Sequence, residues 1–118
     1  MEFSNIINQY NNAVLFEYDN EVERTYCNLK DLYEGNGKDV VYTVEALFIN
    51  DKSKFGDAPV IVSGSYLVNV PSYFLETVKA MRKDEQLIKL VNDRKLGFNI
   101  YEYENQYGKR HSLNWVEI

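Results

Sequence analysis

Hydrophobic and polar residues alternate along several stretches of this chain, a pattern typical of half-buried β-strands. The alternation predicts one strand over residues 22–29, and a run of β-branched and aromatic residues predicts a second over 39–50. A third β stretch covers residues 58–71 and contains Gly64, which indicates a bulge or a sharp bend. Residues 1–20 are rich in Asn and are interpreted as an N-terminal arm or an edge strand.

A helical period replaces this alternation over residues 72–94. Ser72 is the expected N-cap, and hydrophobic residues recur behind it at helical spacing. Asp84 would cap a second helical piece, so the segment is either one helix or two. Gly97 is expected to end it.

Two turns are predicted from glycine-containing polar segments. Residues 33–39 would form the turn between the first two strands. The last part of the chain predicts a hairpin, with strands over 96–103 and 111–118 joined by a turn over 104–110. Gly108 is well placed in that turn for a residue with positive φ.

The resulting order is three strands, a helical segment and a two-stranded hairpin. This is the order of the OB fold, in which the helix lies between the third and fourth strands. The sequence therefore predicts a mainly β, OB-fold-like five-stranded barrel over residues 21–118, with the loops 33–39 and 104–110 beside its ligand groove. Other five-stranded barrels and small α+β sheets fit the same order.

Composition narrows the class of protein. The 118 residues suit one domain, and the chain combines ten Tyr with a net charge of -5. It is too apolar for an acidic disordered chain and too acidic for a simple polybasic DNA-coating protein. The acidity is uneven: residues 1–50 hold nine acids and three bases, and residues 51–118 hold nine acids and ten bases. A polyanionic partner would find its contacts mainly in the second part.

The reactive side chains are few. Cys27 is the single cysteine and His111 the single histidine, so neither an internal disulfide nor a multi-His metal site is expected. Cys27 is interpreted as a small core residue and His111 as a strand-end or surface residue. P-loop, GxGxxG, HExxH and Gly-x-Ser-x-Gly motifs are absent, which argues against an enzyme and a cofactor. With no signal peptide and no membrane span recognised, a cytoplasmic protein is expected.

The final hairpin carries the best candidate binding residues. Tyr101 and Tyr103 are two residues apart and share one face of a strand, with Tyr107, Lys109 and Arg110 in the adjoining turn. Aromatic rings beside cations suit single-stranded nucleic acid, because bases stack on the rings while cations contact phosphates. The alternative is a solvated hairpin whose tyrosines only cover the outer face of the barrel.

A second candidate cluster lies in the loop after residue 50. Lys52, Lys54 and Phe55 again combine two cations with an aromatic ring, beside the flexible Gly56. Trp115 is instead expected in the core, because it follows the alternation of the last strand.

Two long stretches, ALFINDKSKFGDAPVIVSGSYLVNVPSYFLETVKAM and LGFNIYEYENQYGKRHSLNWVEI, resemble the small single-stranded DNA-binding proteins of lactococcal and related Gram-positive phages. The resemblance covers about residues 24–118. It implies an OB fold, sequence-nonspecific binding of single-stranded DNA, and a role in phage DNA replication or recombination. It also implies a homo-oligomer (dimer or tetramer), phage recombinase or replication proteins as further partners, and the host cytoplasm as location.

The sequence thus predicts a non-enzymatic, metal-free single-stranded DNA-binding protein. The first rival is an acidic phage inhibitor, either a DNA mimic or a blocker of a host protein, for which the acidity of residues 1–50 is the supporting feature. The second rival is a plain interaction module within a larger assembly.

Overall fold

The computed structural model describes residues 15–19, 21–51 and 56–118. Their architecture is mainly β, with strands in two sheets and short helices packed beside them. The predicted mainly β class is therefore confirmed. The described strands form no closed barrel.

The segment before the first strand is attached to the body of the protein. Residues 15–19 take neither helix nor strand, but Phe16 is buried in the hydrophobic core. The backbone N–H of Glu17 donates to Asn92 Oδ1 at 2.8 Å. Most of the predicted arm or edge strand over residues 1–20 lies outside the described residues.

The first three strands are shorter than predicted. Strand β1 spans Thr25–Asn28, inside the predicted 22–29. The single strand predicted over 39–50 is two strands, β2 (Val41–Thr43) and β3 (Ala46–Asn50). Between them the backbone bonds first to a strand of one sheet and then to a strand of the other. This segment therefore joins the two sheets.

Helix α1 spans Leu29–Asn36, where the sequence predicts a turn over 33–39. That prediction is wrong. A capping box starts the helix: Asn28 Oδ1 accepts from the Asp31 N–H at 2.8 Å, and Asp31 Oδ2 accepts from the Asn28 N–H at 3.0 Å. Gly37 ends it at φ 87°. The glycine signal here marks the end of a helix and not a turn that directly joins two strands.

The β stretch predicted over 58–71 is a hairpin. Its strands are β4 (Ala58–Ser63) and β5 (Tyr66–Asn69). Gly64 lies in the two-residue turn at φ 55°, so the predicted bend is a full reversal of the chain. Most of β4 is buried because it lies between β3 and β5.

The helical segment predicted over 72–94 contains two α-helices. A 3₁₀ turn, Ser72–Phe74, is followed by α2 (Leu75–Met81) and α3 (Glu85–Asn92). The predicted cap at Asp84 is confirmed, because its Oδ1 accepts from two backbone N–H groups of the first turn of α3, at 3.0 and 3.2 Å.

Two predicted helix boundaries are wrong. Ser72 is the first residue of the 3₁₀ turn, Pro71 holds the cap position, and no side chain caps this turn. Gly97 does not end the helical segment. Arg94 reverses the chain after α3 at φ 60°, and Gly97 is buried in the strand that follows.

The final hairpin is longer and tighter than predicted. Strand β6 spans Leu96–Asn105 and strand β7 spans Gly108–Glu117, so the predicted turn over 104–110 shrinks to residues 106–107. The positive φ predicted for Gly108 is confirmed at 103°.

The strands form two sheets around one core. The first sheet has the order β1-β5-β4-β3, with β1 parallel to β5, and the second has the antiparallel order β2-β6-β7. One hydrophobic cluster contains buried residues from both sheets and from all three α-helices described, including Leu32, Leu47, Ile61, Val68, Val78, Val91, Phe98 and Leu113. Strand β7 is an edge of its sheet, so its outer side pairs with no further strand among the described residues.

Candidate nucleic-acid interface

Strand alternation places two tyrosines on the outer face of β6. Phe98 and Ile100 point into the core, as predicted, and are 0% and 7% exposed. Tyr101 and Tyr103 therefore lie on the opposite face. Their ring centroids are 6.0 Å apart, and Tyr101 is 41% exposed.

A third tyrosine from a distant part of the chain joins this face. Tyr73, in the 3₁₀ turn, is 59% exposed, and its hydroxyl donates to Ser112 Oγ at 2.9 Å. Ser112 is the cross-strand partner of Tyr101. Phe74 anchors the turn by packing edge-on against Trp115, with ring centroids 6.2 Å apart. Sequence reasoning missed Tyr73, because no local pattern shows that the turn folds back onto β7.

The three rings are electrostatically linked. A side-chain hydrogen bond with Tyr73 raises the pKa of the Tyr103 hydroxyl above its ordinary value, and partial burial raises it further. Arg110, the cross-strand partner of Tyr103, acts in the opposite direction on this pKa. The Tyr103 ring is therefore neutral at physiological pH and adds no negative charge that would repel a phosphate. We call Tyr73, Tyr101, Tyr103 and Arg110 the tyrosine face.

The other predicted residues of the hairpin occupy different positions. Tyr107 lies in the tight turn and is 71% exposed. Lys109 is one residue from Arg110 and points to the other face of the hairpin, where its Nζ lies 3.8 Å from Glu102 Oε1. Arg110 is therefore the predicted cation that shares the face of Tyr101 and Tyr103. Lys52, Lys54 and Phe55 lie outside the described residues.

The cations of the helical segment lie in different surroundings. Lys89 forms an exposed pair with Asp93, with Nζ and Oδ2 2.7 Å apart. Lys79, Arg82 and Lys83 instead border a groove of about 600 Å³ together with two hydrophobic side chains. An Arg82 guanidinium N–H donates to the Leu47 carbonyl oxygen of the edge strand β3. This groove lies beside the strand that leads into the loop of the predicted Lys52 cluster.

The described residues offer little for nucleophilic or metal chemistry. Burial, with a smaller contribution from the Asp31 carboxylate, raises the pKa of the Cys27 thiol and so disfavours its reactive thiolate form. Trp115 is partly buried against the core, as its strand alternation predicts. Across residues 15–19, 21–51 and 56–118, no three His, Cys, Asp or Glu side chains are grouped to hold a metal ion. In the same ranges no helix has the length and hydrophobicity to span a membrane.

Comparison of the chain with known proteins finds no matching family, no matching curated protein and no matching solved structure.

Proposed function

We propose that this protein binds single-stranded DNA without sequence specificity and has no enzymatic activity. The observation that carries the proposal is the tyrosine face, where three partly exposed rings and one arginine lie together on one side of the final hairpin. Unpaired bases stack on such rings at roughly 1–3 kcal/mol per base, and every base offers a π-face, so the contact tolerates any sequence. A role in phage DNA replication or recombination follows from the sequence resemblance.

The charge distribution supports a binder that depends on stacking more than on ion pairs. The chain carries a net charge of -5, so long-range attraction to a polyanion is weak. We expect few phosphate contacts, and each would contribute only about -0.7 to the slope of log affinity against log salt for a single strand.

We also propose that the fold is an open variant of the OB fold, with its strands assigned differently from the sequence prediction. Residues 41–50 would be a bent first strand that joins the two sheets, followed by the β4–β5 hairpin, the helical segment and the β6–β7 hairpin. The OB fold uses the loops after its first and fourth strands for ligands. In this assignment those connections span residues 51–57 and 106–107, which contain the predicted binding residues Lys52, Lys54, Phe55 and Tyr107.

A pair of tyrosine variants tests the proposed site. Tyr101→Ala combined with Tyr103→Ala removes two rings, and we expect affinity for labelled oligo-dT, measured by fluorescence anisotropy, to fall about thirtyfold or more, because two stacking contacts of at least about 1 kcal/mol each are lost. Tyr26→Ala is the matched control, because Tyr26 is 52% exposed but lies on β1 of the other sheet. Circular dichroism should show that all variants remain folded. Equal affinity of the double variant and the control would remove the tyrosine face from the proposal.

A comparison of DNA ligands tests the function itself. Stronger binding to oligo-dT than to a duplex of equal length supports the proposal. Binding to neither would favour the rivals, an acidic inhibitor that mimics DNA or blocks a host protein, or a plain interaction module.

The resemblance also leaves three predictions: self-association, contacts with phage recombinase or replication proteins, and a location in the host cytoplasm.

A further inference from the structure

A second basic region lies at the outer edge of β7. A groove of about 400 Å³ runs between the start of α1, the end of β5 and residues 109–111 of β7. Three of its lining residues are basic, Lys30, Lys109 and Arg110, and none is acidic. In a chain with a net charge of -5, such a groove is a local concentration of positive charge.

The groove is also lined by a largely buried histidine whose Nε2 makes no hydrogen bond within the described residues. The His111 side chain is 8% exposed, and its Nε2 is the buried side-chain polar atom that lacks a hydrogen bond within the described residues. The Glu102 carboxylate lies beside it, with Oε2 in ion-pair contact 3.3 Å from Nε2. The Tyr33 ring packs against the imidazole, with centroids 5.1 Å apart. Buried polar atoms are rarely left without a hydrogen bond, so this nitrogen is a further group that a ligand in the groove could contact.

The start of α1 adds backbone donors on the opposite side of the groove. The amides of Leu29 and Lys30 are the first two of the helix and have no intrahelical acceptor. The helix dipole favours an anion at this position. One carboxylate, Asp31, already satisfies the Asn28 N–H in the capping box, so the remaining amides and the cations would bind an external anion.

We propose that this groove, the β7 groove, binds a phosphate group. In a complex with DNA, this group is a phosphodiester of the strand whose bases stack on the tyrosine face. This second step rests on the proposed function. Arg110 connects the two regions, because it lines the groove and is also the cross-strand partner of Tyr103.

The neighbouring carboxylates are compatible with such a ligand. Lys109 Nζ is 3.8 Å from Glu102 Oε1, and Lys30 Nζ is 3.9 Å from Glu34 Oε1. Both lysine side chains are well exposed, and contacts of this length between exposed charges are weak. Each lysine can therefore turn towards a phosphate, which offers charge-assisted hydrogen bonds at shorter range.

The single histidine makes the groove directly observable. NMR signals of the imidazole ring belong to His111 without ambiguity, because the sequence contains no other histidine. Titration of the full chain with inorganic phosphate, against sodium chloride at equal ionic strength and pH, should shift these signals with saturation. Lys30→Gln combined with Lys109→Gln should weaken the phosphate response about tenfold, since two charge-assisted contacts are lost. Lys95→Gln, which removes an exposed charge just before β6, should leave it unchanged.

A second titration, with oligo-dT, distinguishes failure of the β7 groove as an anion site from failure of the proposed function. A shift of the His111 signals in both titrations supports the whole proposal. No saturable phosphate shift would overturn the groove as an anion site, whatever the DNA result. A phosphate shift without any binding of oligo-dT would leave the groove standing and overturn the proposed function. Binding of oligo-dT that leaves the His111 signals unmoved would overturn the assignment of a strand phosphate to the groove.

Discussion

Gly97 is the point at which the final hairpin meets the segment that joins the two sheets. A Cβ added there would lie 2.9 Å from the Tyr42 carbonyl oxygen and 3.1 Å from side-chain carbons of Val41 and Ile118. The closest of these atoms is backbone, so rotation of a side chain cannot relieve the contact. Gly97→Ala must therefore push β2 away from β6. We expect a loss of about 1–3 kcal/mol in the free energy of unfolding, the usual range for overpacking.

Urea denaturation followed by tryptophan fluorescence would measure this loss. Thermal unfolding gives a second measurement, with a decrease of about 4 °C in Tm per kcal/mol for a domain of this length. Gly35→Ala is the matched control, because Gly35 lies within α1 and a Cβ there meets nothing within 4 Å. That variant should gain about 0.5–1 kcal/mol from helix propensity. If Gly97→Ala were as stable as the wild type, the close approach of β2 to β6 would be refuted.

Two further predictions concern a cap and a thiol. Asp84→Ala should lower the free energy of unfolding by about 1 kcal/mol, because the first turn of α3 loses its cap, whereas Asp84→Asn should retain most of it; urea denaturation distinguishes them, and equal losses would contradict a capping role. Cys27 should react slowly with iodoacetamide at pH 7.5, because its raised pKa lowers the thiolate fraction, and unfolding in urea should accelerate the reaction. A native rate equal to the unfolded rate would contradict the assigned environment.

The faces of the final hairpin could be read from the sequence. The alternation over 96–118 places Phe98 and Ile100 inside and Tyr101 and Tyr103 outside, and the structure agrees. This prediction works because the two-residue period of a strand is a local property. The cap at Asp84 is local in the same way, since an aspartate reaches the amides two and three residues ahead.

The sequence contains a local signal for helix α1, although the glycines led to the prediction of a turn. Asn28 and Asp31 have the spacing of a capping box, and Leu29 and Leu32 fall on one helical face. Gly35 and Gly37 instead favour a turn over residues 33–39 when they are taken alone. Gly37 instead supplies the positive φ with which this helix ends. A glycine specifies the permitted φ but not the element that precedes it.

The break within residues 39–50 had no comparable local signal. The run is rich in β-branched and aromatic residues, so propensity predicts one strand. Its first half pairs with β6 and its second half with β4, and these partners lie in different sheets. The break exists because one strand cannot hold both partners without a bend.

The sequence by itself determined the mainly β class, the place of the helical segment and the outward direction of Tyr101 and Tyr103, because these follow from periods of two and 3.6 residues and from caps that act within one turn. Only the tertiary structure decided that Tyr73 joins those rings and that Lys30 meets Lys109 and Arg110 at the β7 groove. These residues come from segments far apart in the sequence. Their meeting depends on how the two sheets and the helices pack around one core, which no local pattern specifies.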